Sequence, residues 1–290
     1  MHQYLPAIGF SKLNKKTLEN LLQEIRLRPD YHESAIDLDG NQFVELRCMV
    51  ADNVGLVLRG VYNEDDEFVL DYYYPSYFGE SVSAKNDVEV IKQSDKDNYL
   101  VMCDEIRLGV NLIFQLQNMG QFLRNNLKDK KIEKKDIRLA ALSLDAKIIL
   151  PLYDNEKSRI KAKMNNQKRI DLVEQAREGN EEALESLTMD EIDLYQRISR
   201  RVTREDILSV VTSYFMPYGI ENDKYEILGE ILDVKSLINH ITMEELYVLT
   251  VDSNDVILEV CINKKNLYGE PLVGRRFKGI IWLQGTVDFS

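Results

Sequence analysis

The segment that most constrains the fold lies late in the chain, where residues 269–285 read GEPLVGRRFKGIIWLQG. It combines four glycines and three cations with Phe277 and the only tryptophan of the chain, Trp282. Glycine within a strand pattern marks a sharp bend or the close approach of another backbone. We therefore predict that this segment supplies strands to a small closed β-barrel, with glycines at its corners and Trp282 in its core.

The surrounding sequence indicates that residues 217–290 form a β-rich C-terminal domain. Four short segments have the composition of strands, at 225–234, 246–252, 256–263 and 277–283. Residues 252–255 read DSND, which is typical of a hairpin turn because Asp and Asn side chains bond the turn backbone. Several short strands with such turns favour a barrel of the OB-like or SH3-like kind.

Residues 1–153 are predicted to form an α+β domain, an antiparallel sheet with packed helices. Apolar residues at helical spacing predict a first helix that ends before Pro29, and their positions are Leu18, Leu21, Leu22 and Ile25. Apolar residues on two faces predict a long buried helix over 99–127. Strands are predicted at 2–10, 43–50, 54–62, 68–74, 88–93 and 142–150.

Between these two domains, residues 154–216 are predicted to form a charged helical connector. Residues 157–177 carry seven cations and two acids, whereas residues 178–193 carry seven acids and no cation. A helical hairpin would pair the two blocks, although each exposed ion pair stabilises by only about 0.2–1 kcal/mol. A third helix is predicted over 207–215, where apolar residues recur at helical spacing.

Composition excludes several classes of protein. A hydrophobic fraction of 44% with 30% charged residues is typical of a folded chain. The net charge of −12 disfavours free nucleic acid and anionic membranes as default partners. No apolar run approaches the roughly 18 residues that a membrane span needs, and no secretory signal is recognisable. Three widely separated cysteines, Cys48, Cys103 and Cys261, favour a reduced, cytoplasmic protein with buried thiols.

No catalytic, metal or cofactor site is predicted. The three histidines neighbour no nucleophile pattern, and the motifs of hydrolases, zinc enzymes and nucleotide-binding loops are absent from the sequence. Asp37 begins a segment, DLDGN, that is similar to the start of a calcium loop, but the twelfth position is Cys48 where a glutamate is needed. An enzyme of unrecognised type stays an alternative.

Two surfaces are candidates for binding. Tyr74, Tyr77 and Phe78 belong to an aromatic run, YYYPSYFG, whose alternation places rings on both faces of a strand. We predict that these three rings line a cleft or an interface, against the rest of the chain or a second copy. The second candidate is a nucleic-acid or anion contact on the predicted barrel, made by Arg275, Arg276 and Lys278.

Four longer segments together resemble an uncharacterised bacterial family of unknown function. They read HQYLPAIGFSKL, CDEIRLGVNLIFQLQN, EDILSVVTSYFMPYGIENDKYEILGEI and GEPLVGRRFKGIIWLQG. The resemblance implies a full-length cytoplasmic bacterial protein, and it brings no known activity and no known site residues.

The sequence therefore predicts a non-catalytic protein that binds a protein partner or a small ligand. The alternatives are an enzyme of unrecognised type and an OB-like nucleic-acid-binding protein, and a homo-oligomer stays open.

Overall fold

A computed structural model of the chain describes residues 1–37, 39–93, 98–125, 131–152, 156–189, 192 and 206–289. Strands dominate these residues, in a mixed fold with few helices. The helices are α1 (Lys15–Leu27), α2 (Met119–Arg124), α3 (Glu156–Arg177) and α4 (181–189), with 3-10 helices at Leu5–Ile8, Ile207–Ser209 and Lys264–Asn266. None of the helices in these ranges is long and apolar enough to cross a membrane.

The first sheet is formed by four consecutive antiparallel strands, as expected for this part of the chain. They are β1 (Tyr31–Ile36), β2 (Gln42–Ala51), β3 (Val54–Tyr62) and β4 (Phe68–Tyr77), in that spatial order. Helix α1 packs against β2, and α2 packs against β1. The side chain of Asn14 caps α1 by accepting a bond from the backbone nitrogen of Thr17 at 2.9 Å.

The second sheet has ten strands and includes the last part of the chain. They are β5 (Ala84–Lys92), β6 (Tyr99–Glu105), β7 (Val110–Leu116), β8 (Lys131–Ile149), β9 (Tyr214–Pro217), β10 (Lys224–Ile238), β11 (Glu245–Ser253), β12 (Val256–Asn263), β13 (Leu267–Tyr268) and β14 (Arg276–Val287).

This sheet closes on itself twice, and both closures use the antiparallel pair of β8 and β14. One ring runs through β8, β5, β6, β7 and β14, and the other runs through β8, β12, β11, β10 and β14. Strand β8 has 19 residues, so its first part can pair with β5 and its second part with β12. The rings therefore lie end to end along one ribbon, and their interior is one continuous apolar core.

A second apolar core lies between the outer face of this sheet and an N-terminal layer. The layer consists of the first 3-10 helix, α1 and the first sheet. Trp282 points into this second core and is 6% exposed, whereas its neighbours Ile281 and Leu283 point into the rings. Trp282 is thus buried as predicted, but between layers and not inside a barrel.

The predicted barrel made of residues 217–290 alone is wrong. Strands β10, β11, β12 and β14 do come from this region, but β12 and β14 are joined through β8, at residues 131–149. Without β8, the facing edges of β12 and β14 would leave their backbone groups unpaired. The predicted boundaries at 153 and 216 consequently do not separate two sheets, and the division into three domains stays a prediction about independent folding.

The predicted helix over 99–127 is wrong, because most of this segment forms the hairpin of β6 and β7. Residues 99–103 of β6 and 112–116 of β7 are buried or half-buried on both faces of the strands, so apolar side chains occur in both phases. That pattern mimics a helix with two apolar faces. The turn depends on Gly109, whose φ of +70° favours glycine, and α2 is the one helix within the described residues 99–125 of this segment.

Two shorter predictions are also wrong. The expected strand at 2–10 contains the 3-10 helix Leu5–Ile8, because Pro6 cannot donate to a ladder and Gly9 turns the chain with a φ of +91°. The expected helix at 207–215 is a 3-10 turn followed by strand β9, and the Asp206 carboxylate accepts from the backbone nitrogen of Leu208 at 2.7 Å.

We expect Trp282→Ala to lower the free energy of unfolding by about 3–5 kcal/mol, because the ring is enclosed by the N-terminal layer. It stacks on Tyr4 at 5.2 Å between centroids, meets Tyr74 edge-on at 6.3 Å and donates from Nε1 to Asp223 at 2.7 Å. Urea denaturation measures the change. Tyr268→Ala, at a ring that is 64% exposed, is the control, and equal midpoints for both variants would contradict the burial.

Candidate functional site

A buried cluster of charged side chains lies under the first sheet, at the register of β2 and β3. Glu45 and Arg59 stand directly opposite each other in this pair, and both are almost completely buried. Arg59 Nε donates to Glu45 Oε2 at 2.8 Å, and Arg47 Nε donates to Glu45 Oε1 at 2.6 Å. One carboxylate thus bridges two guanidinium groups, and the cluster keeps a net positive charge.

Aromatic rings and backbone carbonyls enclose the two guanidinium groups. Arg59 lies 4.9 Å from the centroid of the Tyr74 ring and donates to the Tyr72 hydroxyl at 2.9 Å and to the Leu116 carbonyl at 3.2 Å. Arg47 lies between Tyr31 and Phe78, at 4.3 and 4.5 Å from their centroids. Cation–π contacts of this kind stabilise a charge that burial would otherwise disfavour.

A small cavity adjoins Arg59. Its walls include Asp37, Asp71, Tyr72 and Tyr99, and its volume is about 20 Å³, which suffices for about one water molecule. Pockets for drug-sized ligands are typically about 300–1,000 Å³. The charged cluster therefore has room for a water molecule and not for a metabolite, so its arrangement serves the packing of the two layers.

A second polar contact joins the layers at the end of β4. The Tyr77 hydroxyl donates to Glu259 Oε2 at 2.5 Å, and the backbone nitrogen of Ser81 donates to Glu259 Oε1 at 3.0 Å. Burial alone would raise the pKa of Glu259, but the bonds from Tyr77 and Ser81 outweigh it and the pKa lies below its ordinary value. Glu259 therefore stays ionised, and burial together with this carboxylate raises the pKa of the Tyr77 hydroxyl.

Three buried amide and hydroxyl side chains continue this contact. Gln117 Nε2 donates to the Ser76 hydroxyl and to the Tyr77 carbonyl, both at 2.7 Å, and Gln284 Nε2 donates to the Pro75 carbonyl at 3.0 Å. All three side chains are fully buried. The two glutamine amides thus donate to backbone carbonyls of β4 at Tyr77 and Pro75, and Pro75 itself has no backbone N–H to donate.

The predicted aromatic surface is not on the outside of the molecule. Tyr74 and Tyr77 are each 2% exposed, and Phe78 is half-buried against Arg47. The expectation that these rings line an exposed cleft is wrong, because the second sheet covers this end of β4. The alternative that they face another part of the same chain agrees with these contacts, since Tyr77 meets β12 and Tyr74 meets Trp282 on β14.

The predicted cationic surface is not formed by its three residues together. Arg276 is 6% exposed and donates to the carbonyls of Leu150, Leu208 and Val211 at 2.8–2.9 Å. Arg275 bonds the carbonyl of Glu270 at 2.8 Å, and Lys278 is paired with Glu226 at 3.4 Å. The prediction for Arg276 is therefore wrong, because backbone carbonyls already occupy its guanidinium.

Arg276 is instead a clamp at the base of a helical arm, which we define as residues 156–189. The chain leaves the second sheet after β8, next to Leu150, and it returns at Leu208 and Val211. The guanidinium of Arg276 binds the carbonyl of Leu150, which precedes the arm, and those of Leu208 and Val211, which follow it. The exit and the return are therefore neighbours in space, although 58 residues separate Leu150 from Leu208 along the chain.

The arm itself is a hairpin of two helices. Helix α3 has 22 residues, which corresponds to about 33 Å, and near its end Arg177 is paired with Asp104 of β6 at 2.5 Å. Gly179, with a φ of +93°, turns the chain into α4, whose first turn is capped by the side chain of Asn180. The two helices flank an open groove lined by Leu172, Glu182, Glu185, Ser186 and Met189.

The three thiols are poor nucleophiles. Burial raises the pKa of Cys48 to about 11 and those of Cys103 and Cys261 to about 12, and nearby acids reinforce the shift for Cys48 and Cys103. A thiol must ionise to attack, so these shifts oppose catalysis. Among the residues that the structure describes, no group of three acidic, histidine or cysteine side chains is arranged to hold a metal ion.

Most of these contacts were not found from the sequence. Glu45 and Arg59 could not be paired by counting outward from the turn between β2 and β3, because the register shifts by one residue between Met49 and Ala51, and an unshifted count would place Glu45 opposite Gly60. No such count reaches Tyr77 and Glu259, which lie 182 residues apart. The clamp at Arg276 had no local signal either, since its acceptors are backbone carbonyls.

Comparison with known proteins identifies a family and no further relatives. A family model described as "Domain of unknown function, E. rectale Gene description (DUF3881)" matches residues 5–285. The resemblance to an uncharacterised bacterial family is thereby confirmed. The comparisons with curated proteins and with solved structures found no match.

We expect Tyr77→Phe to lower the free energy of unfolding by about 1–3 kcal/mol near pH 7, because a buried carboxylate loses a donor. The folded-state pKa of Glu259 is depressed, so its stabilising contribution is complete above the unfolded value of about 4.3 and is lost as pH falls through the folded value. The difference from wild type should therefore shrink in urea titrations near pH 3. Tyr268→Phe, at an exposed ring, is the control, and a pH-independent difference would contradict the role of the carboxylate.

We expect Arg276→Met to destabilise the chain by about 2–4 kcal/mol, since three backbone carbonyls lose their donors. Hydrogen exchange should accelerate first at residues 149–152 and 206–211, at the base of the arm. Arg275→Met is the matched control, because that guanidinium lies nearer the surface. Unchanged exchange at the base of the arm in Arg276→Met would contradict the clamp.

Proposed function

The chain belongs to the DUF3881 family, whose function is unknown, and we propose that it is a non-catalytic protein that binds a protein partner on its helical arm. The two sheets with their packed helices, which we call the body, would support the arm, and the arm would contact the partner.

The observation that carries this proposal is the exposed apolar surface of the arm. Met164 and Leu184 are each 58% exposed, and Met189 is 64% exposed. These large apolar side chains lie on a helical hairpin held to the body by the clamp at Arg276 and the pair of Arg177 with Asp104. Exposed apolar side chains also occur elsewhere, at Leu272 and Val273 for example, whereas Met189 of the arm lines an open groove, an arrangement that is typical of a site that a partner covers.

The polar groups of the body support a binding role over catalysis. Arg59 and Glu259 are engaged in bonds between the layers, Glu45 is engaged by Arg47 and Arg59 within the first sheet, and the cavity beside Arg59 has room for about one water molecule. Catalytic groups need access to a substrate and a pKa near the working pH. The larger space on the arm is an open groove, which suits a protein partner better than an enclosed small ligand.

A polyanion is the second candidate partner, on account of one segment. Residues 157–169, in the first half of α3, contain six cations and no acid. A basic helix of this kind can bind phosphate groups. The proposal for a protein partner has priority because the arm also presents apolar side chains, which a phosphate backbone does not cover.

A cytoplasmic location belongs to the same proposal. The three cysteines are free, and two of them are buried. A chain that keeps its thiols unpaired is suited to a reducing compartment.

The decisive experiment removes the arm. Because Leu150 and Leu208 both bind Arg276, a linker of about four glycine and serine residues should bridge the gap after excision of 153–205. We expect the shortened chain to keep its near-ultraviolet circular dichroism and most of its thermal stability. Proteins that co-purify with the full chain should be lost from it.

The full chain supplies a second test that does not depend on excision. Met164→Ser combined with Leu184→Ser and Met189→Ser should reduce co-purification while leaving the melting temperature within a few degrees, since these side chains are exposed. The matched control is Leu272→Ser with Val273→Ser, at exposed apolar residues of the body. An unchanged set of co-purifying proteins after both arm treatments would overturn the proposed function.

A further inference from the structure

We propose that the arm binds the arm of a second copy of the same chain, with the basic half of α3 in one protomer lying along the acidic groove of the other. This inference rests on the proposed function, because it names the partner that the arm binds.

The charge distribution of the arm is the first observation. Residues 156–169 contain six cations and one acid, a net charge of +5, whereas residues 170–189 contain six acids and one cation, a net charge of −5. The division falls within α3, so this one helix carries both signs. The arm is therefore electrically complementary to a copy of itself placed antiparallel to it.

The fold of the hairpin keeps much of the basic half away from the acids of α4. The groove brings Leu172 of α3 close to Glu182 and Glu185 of α4, so α4 returns beside the acidic half of α3. Residues 157–163 lie about 13–22 Å farther along the helix axis, at 1.5 Å per residue. That distance exceeds the screening length of about 8 Å at physiological salt.

The acids of α4 that the structure describes therefore lie beyond the screening length from residues 157–163, and Asp190, Glu191 and Asp193 of the expected acidic block lie outside the described residues. An antiparallel second copy would bring opposite charges together twice. The basic half of each α3 would meet the groove of the other arm, and the two contacts would be related by a two-fold axis. Such isologous contacts are the commonest way in which identical chains associate.

Apolar side chains occur in both halves of the contact. Leu172 and Met189 line the groove, and Met164 of the basic half is 58% exposed. A basic helix that exposes Met164 thus fits a groove lined by Glu182 and Glu185 together with Leu172 and Met189.

The test uses the full chain with two charge-reversed variants. The groove variant carries Glu181→Lys, Glu182→Lys and Glu185→Lys, and the helix variant carries Lys161→Glu, Lys163→Glu and Lys168→Glu. We expect wild type to sediment as a dimer that weakens as salt rises. Each variant alone should associate at least about tenfold more weakly, since like charges would face each other in both contacts.

Mixing the two variants is the decisive step. In a mixed dimer, the reversed groove of one chain meets the reversed helix of the other, and the unreversed helix meets the unreversed groove. Both contacts therefore again join opposite charges. We therefore expect the mixture to regain dimers near the wild-type affinity. Pairing within one chain cannot be rescued in this way, so a monomeric mixture would overturn the proposal, as would a wild type that stays monomeric at low salt.

Controls separate the other outcomes. Reversal of three exposed lysines outside the arm, Lys12, Lys15 and Lys16, should leave the dimer unchanged. Retention of a synthetic RNA by wild type that is lost in the helix variant, without any dimer, would favour the polyanion and overturn the second copy. If the dimer is absent while other proteins still co-purify through the arm, this inference fails and the proposed function stands.

Discussion

The antiparallel pair of β8 and β14 is the interaction on which the rest of the structure depends. It runs from Ile137 opposite Val287 to Ile149 opposite Arg276, and both rings close through it. Near its middle the register shifts between Gly279 and Ile281. A Cβ atom at Gly279 would come within 2.9 Å of the Ala146 Cβ, so glycine allows the two strands to stay close at this bend.

The N-terminal layer is attached to this ribbon by apolar packing and by a few buried polar contacts. Apolar packing alone is poorly directional, whereas a buried bond between Tyr77 and Glu259 allows few alternative positions of β4. The pair of Glu45 and Arg59 acts in the same way within the first sheet. Charged and hydroxyl side chains of this kind are also found in reactive centres. Here their geometry holds the layers together, and the candidate functional site is the arm.

Sequence patterns succeeded where the deciding contacts are local. Helix α1 and strands β2 to β4 follow from apolar spacing and turn residues, and the charge blocks of the arm mark its two helices. The patterns failed where the structure of a segment depends on strands that are distant in the sequence. In the segment 99–127, residues 99–103 and 112–116 are buried or half-buried on both faces of their strands, so the alternation that identifies a strand is weakened. The barrel prediction failed because the strand that closes it, β8, lies before the arm.

The candidate site was predictable only in part. The charge of α3 could be read from the sequence, but which half faces the acids of α4 depends on the turn at Gly179. Burial of Tyr74 and Tyr77 could not be read from their own strand, because the groups that cover them come from β12 and β14. A single sequence without pairing information cannot supply contacts between such distant residues.

The place of β14 in the chain order has a consequence for synthesis in the cell. Neither ring can close before residues 276–287 have left the ribosome, so the edges of β7, β8 and β10 that pair with β14 stay unpaired until then. Contacts between residues so far apart in sequence are also slow to form. Until then, the nascent chain exposes strand edges and the apolar faces of both cores, which is the state that molecular chaperones bind.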